Sequence, residues 1–303
     1  MPTDDQLAYL LQQVLNAAPT AALYAMLAFG YSLSFALTRR ADFTPGALFA
    51  FAGQVFVFFT AFGYGRLWLV YPAALAVGAA AAFAYTMLAS AVIGGKVIRP
   101  LALASPNAVI AASLAVMIVL MELVRIAAGA RELWLSPFFN ARVTLWDHPG
   151  FPVVLTEIQI FNAVTMAAIV AVAAFVLGRS PQGRNWRAVS DDPLAASLVG
   201  IDAGGVIVRA GLLTAAFSAV SGILATSYYG AMDFGSGLMF GLKVVMIAAI
   251  GDQSLPGRSA AGAALFGLIE TIWGAYMPFL WRDFAMFSFL VVLAVLTRQE
   301  RRV

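Results

Sequence analysis

Residues 179–202 read Arg179-Ser-Pro-Gln-Gly-Arg-Asn-Trp-Arg187-Ala188-Val-Ser-Asp191-Asp192-Pro-Leu194-Ala-Ala196-Ser-Leu198-Val-Gly200-Ile201-Asp202, a polar island between two long apolar stretches. Around it, 62% of the 303 residues are hydrophobic and 11% are charged, where a soluble domain carries about 25% charged residues. The apolar runs are long enough to cross a bilayer. None shows the short alternating segments of a transmembrane barrel, so the spans are expected to be helices that satisfy their own backbone. The fold class is therefore an all-α integral membrane protein, and the island must lie in water.

The island itself reads as a small helix. Asp192 can cap free amides and Pro193 at the first helical position loses no hydrogen bond. Gly200 supplies a stop. Leu194 and Leu198 share one face between them, over about two turns, too short to be stable alone. Such a helix needs a surface: either the ends of this chain's own helices, as an ordinary capped connector, or a groove on another protein.

Working outward, residues 4–16 set Leu7, Leu10, Leu11, Val14 and Leu15 against Gln6, Gln12, Gln13 and Asn16, an amphipathic spacing that leads into the first span or lies flat at the interface. Spans are expected at 18–37, 44–63, 67–93, 106–128, 156–178, 205–230, 237–251, 259–277 and 283–297. That makes a polytopic bundle of about nine helices, within a range of eight to ten. The segment 237–251 is short and bordered by glycine, as a broken or partial crossing would be. Placing the C-terminus inside puts eleven basic residues in the cytoplasm, among them Arg39, Arg40, Lys96, Arg179, Arg184 and Arg187, against Arg66, Arg131, Arg142 and Arg282 outside. The positive-inside rule then sets the N-terminus outside and the island in the cytoplasm. The start, Met-Pro-Thr-Asp-Asp, lacks the basic region of a cleaved signal, so the first span is expected to be retained.

Several chemistries are excluded. The net charge of +3 belongs to cytoplasmic loops and not to a nucleic-acid surface. Without cysteine there is no disulfide, thiolate metal site or Cys nucleophile. His148 stands alone in the external segment 129–155, whose aromatic residues suit either the headgroup belt or an external docking surface, and one histidine is not a metal site. Gly94-Gly95-Lys96-Val97 lacks the rest of a phosphate loop, and Gly235-Ser-Gly237-Leu-Met-Phe-Gly241 has the wrong spacing for a dinucleotide. No cofactor, metal or catalytic residue is expected, and ATP is not bound by that route.

Charges inside the spans are the remaining signal, since each costs about 2.5 to 3.5 kcal/mol at mid-bilayer. Glu122 and Arg125 lie three apart and can pair on one helix. Lys243 lies nine residues before Asp252 and Glu270 twelve after Arg258, so their depths differ by about one helical turn across a shared hairpin. They are expected to approach each other, as a fixed brace or as part of a pathway. Small residues at Gly237 and Gly241, and at Ala263 and Gly267, have helix-packing spacing.

These residues carry a resemblance. Tyr24-Ala-Met-Leu-Ala-Phe-Gly30-Tyr31-Ser, Asp42-Phe43-Thr-Pro-Gly46, Arg187 to Ile201, Tyr228-Tyr229-Gly230, Gly241-Leu-Lys243, Leu255-Pro256-Gly257 and Gly267-Leu-Ile-Glu270 resemble the permease subunit of branched-chain amino acid ABC importers, of the high-affinity leucine, isoleucine and valine type. The resemblance covers most of the chain. It implies one transmembrane permease domain over 1–303, paired as a heterodimer with a second permease subunit in the inner membrane of a bacterium. Two cytoplasmic ATP-binding subunits and an extracytoplasmic solute-binding protein complete the importer. It also implies a coupling helix in the loop 179–204, carried by Arg187, Ala188, Asp191, Asp192, Leu194, Ala196, Leu198, Gly200 and Ile201, with Leu194 and Leu198 seated in an ATPase groove. Tyr24, Gly30, Asp42, Phe43, Gly46, Gly241, Lys243 and Glu270 become candidates for lining the pathway or bracing the bundle.

Two departures bear on the solute. The family usually reads Asn-Phe-Ala-His-Gly where this chain has Asp42-Phe43-Thr44-Pro45-Gly46, and a glycine-rich turn where it has Gly251-Asp252-Gln253-Ser254. Asp42 is expected to pair with Arg39 or Arg40. Branched-chain amino acids and other small amphipathic solutes both stay open. The rival from another class is a stand-alone channel or ion-coupled transporter, for which Glu122 and Glu270 offer only a thin proton path.

Overall fold

The computed structural model describes residues 4–105, 107–129, 131, 133–147 and 151–296. Along these the elements are α1 (Asp4–Thr38), α2 (Thr44–Gly65), α3 (Tyr71–Ile93), α4 (Arg99–Ala104) and α5 (Ala108–Ala127), then β1 (Arg142–Trp146) and β2 (Val153–Thr156). There follow α6 (Glu157–Arg179), α7 (Pro181–Asp191), α8 (Pro193–Leu198), α9 (Ala203–Tyr229), α10 (Ser236–Ala248), α11 (Pro256–Tyr276) and α12 (Arg282–Leu296). Proline opens α2, α3, α7, α8 and α11 within their first two positions, where its missing N–H has no helical partner to lose. His148 and the basic tail with Arg298, Arg301 and Arg302 lie outside the described residues.

Among the described residues, six helices are long and apolar enough to cross a membrane: α1, α2, α3 continued through Leu101, α5, α6 and α9. They match the first six expected spans. The segments expected as the seventh and eighth are two arms of one pair bent by 112°, a seventh crossing if the pair is counted as one span. The segment expected as the ninth is α12, whose 15 residues extend about 22 Å, against a hydrocarbon core of about 30 Å.

Four details bear on the sequence reading. First, as the expected lead-in requires, α1 is a single rod of 35 residues with Pro19 inside it, so the amphipathic start and the first span are one helix. Along its first turns Leu7, Leu10, Leu11 and Val14 are exposed, while Gln12 is buried. Second, α3 does not end at Gly94. Neither Gly94 nor Gly95 adopts a positive φ, and the chain passes through a π-helical turn at Gly94–Ile98 into α4. Third, the segment expected to lie outside contributes two strands, for β1 and β2 form an antiparallel hairpin pairing Arg142 with Thr156 and Val143 with Leu155. The Gln12 carboxamide joins its edge, donating to the Val154 carbonyl and accepting the Val154 N–H, both at 2.8 Å. Fourth, the island contains a longer helix, α7, ahead of the expected short one.

Two apolar clusters hold the bundle. One surrounds α1, which packs on α11, α9 and α6; the other surrounds α2, which packs on α3, α9, α10 and α5. The small-residue motifs set the closest approaches. A Cβ on Gly46 would fall on the Cα of Gly241, so α2 and α10 touch backbone to backbone, and a Cβ on Gly267 would come within 2.8 Å of the Ala21 Cα on α1. Without a hydrophobic drive between helices in lipid, such close packing is what joins them.

Candidate functional site

At the end of the bundle where α1 begins, a vestibule of about 1110 Å³ opens between α1, α9, α10, α11 and α12. Its polar lining includes Gln13, Asn16 and Thr20 from α1 and Gln159 from α6, and its apolar lining includes Phe49, Met232, Met239 and Phe240. At its wall the expected meeting occurs: Lys243 Nζ lies 2.8 Å from Glu270 Oε1, with both side chains less than a tenth exposed. Tyr24 donates its hydroxyl to the other Glu270 oxygen at 2.8 Å, and Lys243 Nζ lies 3.4 Å from the same hydroxyl. Three helices, α1, α10 and α11, are thereby tied by one buried polar knot.

Sequence reasoning missed the outer half of this cluster. Arg282 and Asp283, at the start of α12, complete a ring of alternating charge: Lys243 to Asp283 at 3.8 Å, Arg282 to Glu270 at 3.9 Å and Arg282 to Asp283 at 3.4 Å. The single-turn helix at Phe279–Trp281 folds the start of α12 back over the vestibule. No periodicity in the sequence announces that return. Glu122 and Arg125 pair on α5 at 2.9 Å, both about half exposed, as expected.

The other pathway candidates are not at the vestibule. Gly30 sits against Phe217 of α9, and its carbonyl accepts the Thr214 hydroxyl at 2.7 Å. Gly46 and Gly241 form the α2–α10 contact described above. Phe43 is half-buried against the second apolar cluster, with its N–H donated to Ser113 Oγ at 3.1 Å. These are packing positions.

Asp42 corrects an expectation, for it pairs with neither Arg39 nor Arg40. Arg39 turns away at φ +54° and donates to the Ser190 carbonyl at 2.9 Å, while Arg40 reaches the Arg39 carbonyl. The buried Asp42 carboxylate instead accepts the Thr44 N–H at 2.9 Å and the Ser34 hydroxyl at 3.4 Å, at the start of α2. Burial pushes its carboxyl above the ordinary range, and the bonds from Thr44 and Ser34 offset that only in part. The folded protein therefore holds this proton more tightly than the unfolded chain does. The charged form costs stability once pH exceeds the unfolded pKa, and the cost fades as pH falls back through the folded value. Asp42→Asn is expected to raise the melting temperature at neutral pH, by a margin that shrinks on acidification. A variant that melts lower than the parent at neutral pH contradicts this account.

At the opposite end, the island is built as follows. Trp186 of α7 donates its indole N–H to the Leu33 carbonyl of α1 at 3.0 Å, and Arg187 reaches the carbonyls of Leu177 and Gly178 at the end of α6, both at 3.3 Å. Asp192 caps α8 by accepting the N–H groups of Leu194 and Ala195 at 2.8 and 3.0 Å. Thus Asp192 fixes the start of the short helix, whereas Arg187 anchors α7 to α6 rather than capping α8. Ala196 is buried, Ala188 and Ile201 pack against the core, and Gly200 ends the helix at φ +85°. The outward face is unusual for a polar segment: Leu194 is 71% exposed, Leu198 82% and Val199 76%. A second cavity, about 130 Å³ and mostly apolar, lies beneath α7 among Phe29, Leu33, Trp186 and Phe217. It lacks the convergent charges of the vestibule.

Long apolar helices around a charged vestibule, with a docked aliphatic segment at the far end, define a membrane permease. The family described as the permease component of the branched-chain amino acid transport system matches residues 13–296, and the chain belongs to it. It is a multi-pass permease subunit of an ABC importer. It is 27% identical over 299 residues to the high-affinity branched-chain amino acid transport system permease protein LivH of Salmonella typhimurium, covering 95% of this chain and 94% of that protein. The LivH of Escherichia coli K12 is 28% identical over 295 residues, with the same coverage. The corresponding permease protein BraD of Pseudomonas aeruginosa is 23% identical over 289 residues, 93% of this chain and 92% of BraD. No solved structure matches the chain.

Proposed function

We propose that this subunit imports branched-chain amino acids, or a related small amphipathic solute, across a bacterial inner membrane by alternating access. The vestibule, floored by the buried Lys243–Glu270–Tyr24 knot, carries this reading: it is a mouth wide enough for an amino acid that closes on a polar gate. The chain acts as one permease domain over 1–303 and pairs with a second permease subunit. An extracytoplasmic binding protein delivers solute to the vestibule, and two cytoplasmic ATP-binding subunits grip the loop 179–204. ATP hydrolysis belongs to those partners, so this chain moves solute without covalent chemistry.

The N-terminus then faces outward and the C-terminus lies in the cytoplasm. Contacts along α1 support counting α10 and α11 separately, which makes eight crossings, and with α12 as the last the count is nine. The Tyr9 hydroxyl, near the start of α1, meets the Ala275 carbonyl near the end of α11 at 3.4 Å. The turn before α11 lies near the other end of α1: burial alone raises the Asp252 carboxyl, but bonds from Ser254 and the charges of Arg258 and Arg39 outweigh it and hold it low. An α11 that runs between both ends of α1 traverses the bundle.

The test is uptake of radiolabelled leucine into proteoliposomes holding the full complex with binding protein outside. Uptake is expected to require ATP within and to survive a protonophore. Uptake that persists without ATP but collapses with the protonophore would replace this reading by an ion-coupled one.

A further inference from the structure

The cavity beneath α7 is graded in polarity. It lies between α6 and α9 and reaches from Phe217 to Val206, about 16 Å at the rise of a helix. Phe29 and Leu33 of α1, 1% and 2% exposed, form its floor. Toward the island the lining turns polar, with Ser180, Gln182, Asn185 and Arg209. Away from the island its two walls are joined: Asn162 of α6 donates to the Leu224 carbonyl of α9 at 2.8 Å, and Gln159 to the Tyr228 hydroxyl at 3.2 Å. Near the island the cavity parts them. Val176 and Leu213, 48% and 50% exposed, stand at its mouth, and Val172 and Phe175 continue the exposed apolar face of α6.

We propose that this cavity binds one acyl chain of an anionic phospholipid, whose phosphate is held by Arg209. Of the six long apolar helices α6 is the least buried, so its flank meets hydrocarbon and the mouth opens to lipid tails. The volume, about 130 Å³, is close to the ~150 Å³ that stays dry and admits benzene in an engineered apolar core. It therefore accepts several methylenes and offers water nothing at its inner end. Charge fixes the class of lipid. Arg209 stands six residues into α9, about 9 Å from its start, and its Nε donates to the Gly205 carbonyl at 3.2 Å. Among the described residues it forms no ion pair, although Asp202 shares the start of α9. Its remaining donors, with the Gln182 and Asn185 amides of the same lining, suit a phosphate. Arg179, three residues past Val176, adds a second positive charge, its guanidinium 4.7 Å from the centre of the Phe175 ring. A zwitterionic headgroup brings its own cation to the phosphate, which the two arginines repel. Snorkelling to the interface accounts for Arg209 alone, but not for the apolar cavity that reaches Phe29 behind it. Trp186 and Leu33, whose hydrogen bond docks α7 on α1, both line the cavity, so the acyl chain packs directly under the island.

The experiment uses the purified complex of permease and ATPase subunits in phosphatidylcholine nanodiscs. These are doped with phosphatidylglycerol, or with phosphatidylcholine, carrying a diazirine on one acyl chain. After illumination the labelled positions are mapped by mass spectrometry. Phe29 and Leu33 are the reporters, because a carbene formed in bulk lipid does not reach side chains so deeply buried. Label on at least one of them is expected, about fivefold stronger from phosphatidylglycerol, the effect of one arginine on an anionic lipid. Arg209→Gln should bring phosphatidylglycerol down to the level of phosphatidylcholine. Ala173→Phe places a ring in the cavity from α6 and should abolish label at both reporters while Val172 and Phe175 stay labelled. No label at either reporter in the parent, as when a segment of the second permease subunit fills the mouth, overturns the assignment. So does equal label from the two lipids, a preference that survives Arg209→Gln, or a reporter still labelled in Ala173→Phe.

Discussion

Glu270→Ala is expected to destabilise the bundle by about 3 to 5 kcal/mol, because it strands the Lys243 ammonium in a buried site. The same change removes the acceptor of the Tyr24 hydroxyl and one partner of Arg282, so α1, α10 and α11 lose their common tie. The measurement is thermal or denaturant unfolding of the purified protein, alongside leucine uptake. The informative companion is the double variant Lys243→Met with Glu270→Leu. Replacing a buried ion pair by apolar groups of similar size is often neutral for stability, so the double variant should recover most of what Glu270→Ala loses. Uptake should not recover, since a gate that must open and reclose over a solute needs its polar groups. Full recovery of uptake with stability would reduce the pair to a brace and remove it from the gate. Unchanged stability in Glu270→Ala would show that the pair does not hold the fold at all.

Leu194→Asp combined with Leu198→Asp is expected to detach the ATPases. Each leucine buried in a partner groove contributes about 1.5 to 3 kcal/mol, so losing both weakens binding by about 10²- to 10⁴-fold. The permease itself should keep its melting temperature, because both side chains are largely exposed in the isolated subunit and the α8 cap at Asp192 is untouched. Co-purification of ATPase with tagged permease is the readout. ATPase retained at full stoichiometry by the double variant would assign the exposed leucines to another role.

The legible parts of the sequence were those governed by composition and local geometry. Six spans follow from apolar length, and α8 follows from the Asp192-Pro193 start and the Gly200 stop. The Lys243–Glu270 pair was legible because counting residues from a shared turn gives depth at a fixed rise. What escaped depends on three-dimensional return. Arg282 and Asp283 come to the ring through a single helical turn at Phe279–Trp281; the charge count set Arg282 outside and the ninth expected span began at Asp283, and neither reading brings them together over Lys243 and Glu270. Gln12 joining the edge of β2 is a contact over 142 positions of sequence. The π-helical turn after Ile93 escaped because two adjacent glycines suggest a break, yet both remain in right-handed helical geometry.

The single rod of α1 sets a mechanical ratio. Its last turns are held by the island, through Trp186 on the Leu33 carbonyl and Arg39 on the Ser190 carbonyl, while Tyr24 belongs to the vestibule. Pro19 removes one rung of the backbone ladder and is the natural pivot. From that pivot Tyr24 lies about 7 Å away and Arg39 about 30 Å, at the rise of an α-helix. A swing about Pro19 is therefore geared down roughly fourfold: about 5 Å of travel at the island end becomes a little over 1 Å at the Tyr24 Cα. That is coarse for a conformational stroke but well matched to a hydrogen bond, which fails on stretching by about 1 Å. On the proposed coupling, the helix converts a large, imprecise pull at the island into a fine adjustment of one latch.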